Sequence, residues 1–297
     1  MAAFDIRPTL SYNVGEMIHT GKGDYPMLFS AKEAIRRRKS VRTFDGSGIT
    51  VAQREALLAY VADAANPFGV PVEFRLLDSA AHGLTSPVVV GAELYLCAKV
   101  GRRPHYELAY GYSFESVCLY AASLGLGTVM LAASINRPAF EAAMAVTGDE
   151  VMAVASPVGH AAQKRSVRDT LMRKGLKADD RVAFEKLYYH GDFSAALSPA
   201  QAGDFASALE LMRWAPSATN KQPWRAVVAG DTVHFYEERT MRDTPLGDIQ
   251  KVDMGIALCH FDLTMQEEGH AGRFTFADPG LTAPERTEYI VSYVKEK

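Results

Sequence analysis

The residues most able to do chemistry are gathered in Arg38-Lys39-Ser40-Val41-Arg42, the core of the stretch Ala34 to Phe44. Four Arg and one Lys fall within residues 36–42 of a chain whose net charge is −3, so the positive charge is local. Arg offers a planar fork of donors that never loses its charge, and Ser40 adds a hydroxyl. Residues 31–37 read as a helix. Were it to continue, Arg38 and Arg42 would lie four apart on one face and converge with Ser40 on one anion, such as a phosphate dianion. A solvated basic helix face, or a patch for nucleic acid or acidic lipid, would show the same charge pattern, and both readings stand at this point.

Composition narrows these readings. The chain has 297 residues, 48% of them hydrophobic and 23% charged, which suits a globular protein with one large core or two smaller ones. No aromatic residues interleave the basic run as a nucleic-acid stacking platform would require, so no nucleic-acid partner is expected. Cys97, Cys118 and Cys259 are far apart in apolar runs and read as reduced core thiols rather than a disulfide or metal set. Met1 to Leu10 carries Asp5 and Arg7 and has no apolar leader, so a cytoplasmic protein is expected. Ser116 to Asn136 is free of charge and long enough to span a bilayer, but Gly125 and Gly127 interrupt it. A buried helix, a Gly turn and a buried strand are the better reading, and no membrane partner is expected.

The elements that position the basic stretch follow from periodicity. Residues 1–30 show no period and read as an arm. Thr50 reads as the N-cap of a helix whose apolar stripe includes Leu57, Leu58 and Val61. Strands are expected over 71–77, 92–100, 128–132 and 150–157, with a short helix over 138–146. The helix over 106–124 is apolar on most sides and should be central. Residues 169–190 read as a polar connection. A helix from Leu197 to Trp214, a hairpin over 225–237, a mostly apolar helix over 253–267 and a strand over 273–276 complete the pattern.

One pattern is read twice. Ile49-Thr50-Val51-Ala52-Gln53 matches Leu197-Ser198-Pro199-Ala200-Gln201. Gly111, Leu119 and Gly125 match Gly255, Leu263 and Gly269 at a constant offset of 144 residues. The polar features are not duplicated. The basic cluster occurs only in the first half, where the second has Ala183-Phe184-Glu185-Lys186. The Pro-Ser-x-x-Asn turn occurs only in the second, at residues 216–220, where the first has Asn66 to Gly69.

With these residues in view, the chain resembles the FMN-dependent nitroreductase family over residues 31–297. Arg38-Lys39-Ser40-Val41-Arg42 resembles that family's opening motif. Ala215-Pro216-Ser217-Ala218-Thr219-Asn220-Lys221-Gln222-Pro223-Trp224 resembles its Ala-Pro-Ser-x-x-Asn-x-Gln-Pro-Trp motif. Ala121 to Thr128 resembles the end of its central helix, and Val158-Gly159-His160 with Lys164-Arg165 its closing strand and basic group. The order departs from that of ordinary members and resembles the subfamily of fused nitroreductases, in which one chain mimics the dimer.

The resemblance implies an α+β fold, a three-layer α/β/α sandwich with two pseudo-symmetric halves. These are a first half over 31–168, and a linker with a second half over 169–297. It implies one FMN site between the halves. Arg38, Ser40 and Arg42, helped by Lys164 and Arg165, would hold the phosphate and ribityl chain. Met130, Leu131, Ala132 and Ala133 would run beside the isoalloxazine, with a backbone N–H near Ala132 facing N5. Pro216, Ser217 and Asn220 would cover the ring from the second half. Many members carry an acidic residue where Ala132 stands, so the substrate-side polarity would differ here. FMN carries the chemistry and no side chain acts as nucleophile, so the implied activity is an NAD(P)H oxidoreductase. NADH or NADPH would be the donor and a small molecule such as a nitroaromatic or quinone the acceptor, in ping-pong order. The competing expectations are a flavin-binding or sensing protein without turnover, and other flavin chemistry on the fold, such as dehalogenation or flavin destruction. A monomer is expected, because the chain mimics the family dimer. Ser217 fits a turn or N-cap role as well as a ligand role. Trp224 reads as core, and His160 and His260 as structural, since neither has partners at metal-ligand spacing.

Overall fold

A computed structural model describes residues 29–296 apart from 165 and 176. The arm expected over residues 1–30 therefore lies outside the described residues except for Phe29 and Ser30.

The first half runs α1 (Ala31–Arg37), α2 (Val51–Asp63), β1 (Glu73–Asp78), α3 (Ser79–His82), β2 (Leu94–Gly101), α4 (Tyr106–Ser123), β3 (Gly127–Thr128), α5 (Arg137–Met144), β4 (Glu150–Val151) and β5 (Ala155–Gly159). Helix α2 starts as its sequence requires. Thr50 and Gln53 form a reciprocal capping box, which satisfies two otherwise orphaned backbone donors. The sheet order is β1-β2-β5-β3, with β4 paired to β2, and every pairing is antiparallel. Strand β2 is buried on both faces. Leu96, Ala98 and Val100 join the main core, while Tyr95 and Cys97 join a smaller cluster with Phe140 and Met144 of α5. The sheet is thus sandwiched between α4 and α5, because strand residues two apart share a face.

The second half runs α6 (Val167–Gly175), α7 (Phe184–Leu187), β6 (Tyr188–His190), α8 (Ala206–Met212), β7 (Trp224–Ala229), β8 (Thr232–Glu238), α9 (Ile249–Glu267), β9 (Gly272–Thr275) and β10 (Thr287–Lys295). Its sheet has the order β6-β7-β8-β10-β9, in which β6 pairs parallel to β7 and the other pairings are antiparallel. The α+β architecture expected from the sequence is present.

The two central helices, α4 and α9, pack directly on each other, and glycine permits it. A Cβ on Gly111 would lie 2.0 Å from the Val252 carbonyl oxygen, and one on Gly255 would lie 2.2 Å from that of Leu108. Only a residue without a side chain allows such backbone approach. The contacts are reciprocal, since 108 and 111 map onto 252 and 255 with the same offset of 144. Tyr112 of α4 also donates a 2.6 Å hydrogen bond to Asp262 of α9.

Several boundaries differ from the sequence reading. The connection over 169–190 contains most of α6, all of α7 and β6; Tyr188 is fully buried and its register with Ala226 adds a strand. The strand over 128–132 is regular only at Gly127–Thr128, then touches the sheet again where Leu131 bridges Ala155. The strand over 150–157 is broken into β4 and β5, which pair with different parts of β2. The helix over 197–214 shortens to Ala206–Met212 after a 3₁₀ turn at Gly203–Phe205. Strand β10 follows a loop rich in Gly and Pro and was not expected; it lies between β8 and β9.

Candidate functional site

The basic stretch does not continue as a helix. Helix α1 ends at Arg37, and Arg38 takes φ −59° and ψ 126°. The chain then runs extended, because its backbone finds partners in the sheet region. The Val41 N–H donates to Thr128 at 2.9 Å, and the Phe44 N–H to Val90 at 2.8 Å. Thr43 accepts from the Ala162 N–H at 3.0 Å. Gly127 makes room for this strap, since a Cβ there would lie 2.7 Å from the Val41 side chain. Arg38 and Arg42 are consequently not neighbours on one helix face. Their side chains serve different partners.

Between the strap, the end of α4 and the segment after β5 lies a cavity of about 430 Å³. Arg37, Arg38, Lys39, Ser40, Val41 and Thr43 line one side, Ala122 and Gly125 to Gly127 the second, and Ala161 to Gln163 the third; Asp169 of α6 closes it. Three cationic residues, Arg37, Arg38 and Lys39, and one carboxylate therefore line it. That carboxylate is engaged, because Arg42, itself buried, lies 3.4 Å from Asp169. Arg42 thus braces α6 against the strap.

Arg38 is held from behind. Its Nε lies 3.2 Å from Oε1 of the fully buried Glu115 of α4, off the line needed for a hydrogen bond. Among the described residues, no hydrogen bond uses its terminal guanidinium nitrogens. The same Glu115 Oε1 lies 2.7 Å from Nε2 of His260 on α9, also fully buried, and His260 Nδ1 lies 3.1 Å from the Leu211 carbonyl oxygen. A chain of buried polar contacts therefore runs from the cavity, through α4, into the second half.

Other sequence-predicted residues lie around this cavity or apart from it. Lys164 is exposed, next to the lining residue Gln163, and Arg165 lies outside the described residues. Met130 is half-buried, Leu131 is buried and bridged to Ala155, and Ala133 is exposed. The Ala132 carbonyl accepts a hydrogen bond from Arg137, while its N–H has no hydrogen-bond partner among the described residues. None of these four lines the 430 Å³ cavity.

The turn at Pro216 to Asn220 is built around α9. The Ala218 N–H donates to both carboxylate oxygens of Asp253, at 2.9 and 3.0 Å. Burial pushes the Asp253 carboxyl well above the usual carboxylate range. Thr219, Asn220 and Gln222 all have positive φ, so the turn stores backbone strain. Ser217 Oγ accepts from the Gln222 N–H at 2.9 Å, and Asn220 donates to the carbonyls of Lys177 and Asp180. Gln222, buried, accepts from the Val182 N–H. The motif therefore clasps the chain segment between the halves. Pro216, Ser217 and Asn220 do not line the cavity at Arg38.

Sequence reasoning did not single out Glu115, Asp169 or Asp253. The available signal for Glu115 and Asp253 was an acid inside a mostly apolar helix, which demands a partner when buried. His260 was read as structural, and its position bears on the site through Glu115.

This α+β fold is shared with a solved nitroreductase structure. The chain belongs to the family described as "Putative TM nitroreductase", whose model matches residues 30–265. The crystal structure of a putative nitroreductase from Thermotoga maritima superposes over 96% of this chain and 98% of its own, with a TM-score of 0.59 at 18% identity. A putative nitroreductase from Desulfovibrio desulfuricans, in complex with FMN, covers 47% of this chain and 94% of its own, with a TM-score of 0.37 at 22% identity. An iodotyrosine deiodinase bound to FMN and 3-iodo-L-tyrosine covers 46% and 92%, with a TM-score of 0.38 at 14% identity. No curated protein matches the chain. Among the described residues, no helix is long and apolar enough to cross a membrane.

Proposed function

We propose that this chain is an FMN-dependent oxidoreductase of the nitroreductase type, with the cavity at Arg38 receiving the FMN phosphate. The observation that carries this reading is the cavity itself, lined by Arg37, Arg38 and Lys39 with a single, already paired carboxylate. A phosphate is about −1.5 to −2 in charge near neutrality, and a fork of guanidinium donors suits it. The cavity volume also lies in the range of cofactor sites. The residues present therefore fit the phosphate end of the group.

In this reading Arg38 and Ser40 hold the phosphate with the help of the basic group Lys164-Arg165, and Arg42 acts by bracing α6. Met130 to Ala133 flank the ring, with the Ala132 N–H as a donor toward it. Pro216, Ser217 and Asn220 cover the ring from the second half. FMN, when bound, supplies the redox chemistry, accepting and returning a hydride. The protein's own groups bind, orient and neutralise charge. NADH or NADPH is the donor and a small nitroaromatic, quinone or similar molecule the acceptor. We also read the chain as two fused copies of one unit, a cytoplasmic monomer standing for the family dimer, which the reciprocal contacts of Gly111 and Gly255 support.

The test is the visible spectrum of protein mixed with FMN and desalted, before and after anaerobic NADH and NADPH. Retained flavin near one per chain, bleached by either nucleotide, is expected. Retained flavin that neither bleaches would favour a flavin-binding protein without turnover. No retained flavin would overturn the assignment of the cavity.

A further inference from the structure

The buried pair of Glu115 and His260 is not needed for a phosphate site as such, and its bonding holds one proton too many for ordinary states. A neutral imidazole has one N–H donor and one acceptor nitrogen. Here both ring nitrogens face acceptors, the Leu211 carbonyl oxygen at 3.1 Å and the Glu115 carboxyl at 2.7 Å. A neutral ring can donate to only one of these acceptors, and its remaining lone pair then faces either the Glu115 carboxylate or the Leu211 carbonyl oxygen in a fully buried site. An additional proton on the pair removes that conflict. The arrangement then carries Arg38 (+1), Glu115 (−1) and the extra proton (+1), a net of +1 behind the cavity.

We propose that Glu115 and His260 form a proton-holding pair across the two halves that positions Arg38 and leaves its charge available to a phosphate-bearing ligand in the cavity. The proposal rests on the reading of that cavity as the FMN phosphate site. Without the proton, Glu115 would be compensated by Arg38 alone. The guanidinium would be drawn onto the carboxylate and its charge cancelled within the protein. With the proton, Arg38 need only brush Glu115, which matches its off-line 3.2 Å contact and the absence of a hydrogen-bond partner on Glu115 Oε2. Helix α9 of the second half thereby tunes an anion site built by the first. The other titratable groups facing the pair are the Cys118 thiol of α4 and the Cys259 thiol of α9, with Asp262 a turn further along α9. Burial pushes both thiols up, so they stay neutral and supply no competing charge.

The charge count gives a test that a merely structural role would not pass. FMN and riboflavin differ by the phosphate, so their affinities are compared by flavin fluorescence in wild type, His260→Gln, Glu115→Gln and the double variant. His260→Gln leaves Arg38 facing an uncompensated Glu115, for a net of zero. It should weaken FMN by about tenfold or more and riboflavin by less than about twofold, since one charge-assisted bond is at stake. Glu115→Gln keeps a donor for the His260 ring and a net of +1 but removes the carboxylate that positions Arg38, so it should weaken FMN less than His260→Gln does. The double variant, again +1, should recover most of what His260→Gln lost. A double variant as weak as His260→Gln, or a riboflavin loss equal to the FMN loss, would overturn the proposal. Nitrogen-15 NMR of the histidine rings provides a readout independent of folding of the His260 variants. In wild type at neutral pH, either both ring nitrogens of His260 are protonated, or the proton rests on Glu115 and is absent from Glu115→Gln. A wild-type His260 ring with only one protonated nitrogen beside a Glu115 carboxyl whose carbon-13 shift is that of a carboxylate would overturn the pair. Wild type that binds neither FMN nor riboflavin would instead overturn the function reading, and the ring spectra would still decide the proton.

Discussion

The strap from Arg37 to Phe44 and the stretch from Ala183 to His190 enter their sheets alike and end with opposite surfaces. Each runs parallel to a strand, Ser40 beside Thr128 and Tyr188 beside Ala226. The first is tied by its backbone to Thr128, Val90 and Ala162 and carries charged side chains at residues 37–39, and a cavity lies beside it. The second fills its place with apolar groups, as Phe184, Leu187 and Tyr188 are buried in the main core. The same division applies to the two turns. Asn66 clasps its own turn and Ser113 of α4, through the Val70 carbonyl and the Ser113 hydroxyl. Asn220 instead clasps the segment between the halves. A duplicated scaffold can thus specialise one strap for an anion and the other for packing, because the shared load falls on α4 and α9.

That shared load sets the largest expected effect. Gly111→Ala and Gly255→Ala each place a Cβ against a facing carbonyl, and each should destabilise by about 3 kcal/mol or more, read by urea unfolding. If the halves are equivalent, the two losses should be similar; a large difference would break the comparison. The next effect separates the straps. Arg38→Gln should weaken FMN binding by about 10- to 100-fold, since a charge-assisted contact is lost, whereas Lys186→Gln in the second strap should leave it unchanged.

A third effect belongs to the second half alone. Glu237, fully buried on β8, is pushed up from 4.5 to about 8 by burial, with Asp248 and Glu288 adding to the rise. Arg239 and Lys251 offset this only in part. A carboxyl raised in the folded state holds a proton that the unfolded chain releases between those pH values. Stability should therefore fall as pH rises from about 4.5 to about 8, and Glu237→Gln should flatten that fall and gain about 1–2 kcal/mol at pH 8.5 in thermal unfolding. A Gln variant with the same pH slope would assign the slope to other groups. The smallest effect compares the two helix starts. Thr50→Ala should cost about 1 kcal/mol, because Thr50 caps a 13-residue helix. Ser198→Ala should cost less, because the Ser198 and Gln201 side chains bond each other at 2.6 Å ahead of a 3₁₀ turn rather than capping a long helix.

Much of this molecule was legible in residue order. Thr50 announced a helix start, the apolar faces of residues 106–124 announced a central helix, and residues 253–267 a second mostly apolar one. The offset of 144 placed Gly111 and Gly255 in register before their contact was seen. Other features were not legible, for definite reasons. A helix continued past residue 37 would carry Arg38 and Arg42 on one face, but backbone pairing to Thr128, Val90 and Ala162 outweighed helical propensity. Residues 169–190 are polar enough to read as a connection, although part of them adds a strand to a sheet. The partners of Glu115 and Asp253 lie 145 and 35 residues away. No local pattern names partners at such separations.

The sequence by itself determined the order of most helices and strands, the central helix over 106–124 and the confinement of positive charge to one strap, because periodicity, capping and composition are local, while the α+β class came with the family resemblance. Only the tertiary structure decided that Arg38 and Arg42 part company, that Glu115 of one half meets His260 of the other, and that the Asn220 turn holds the intervening segment. Those outcomes depend on which buried polar groups find one another when the two halves close, and burial leaves each of them few alternatives.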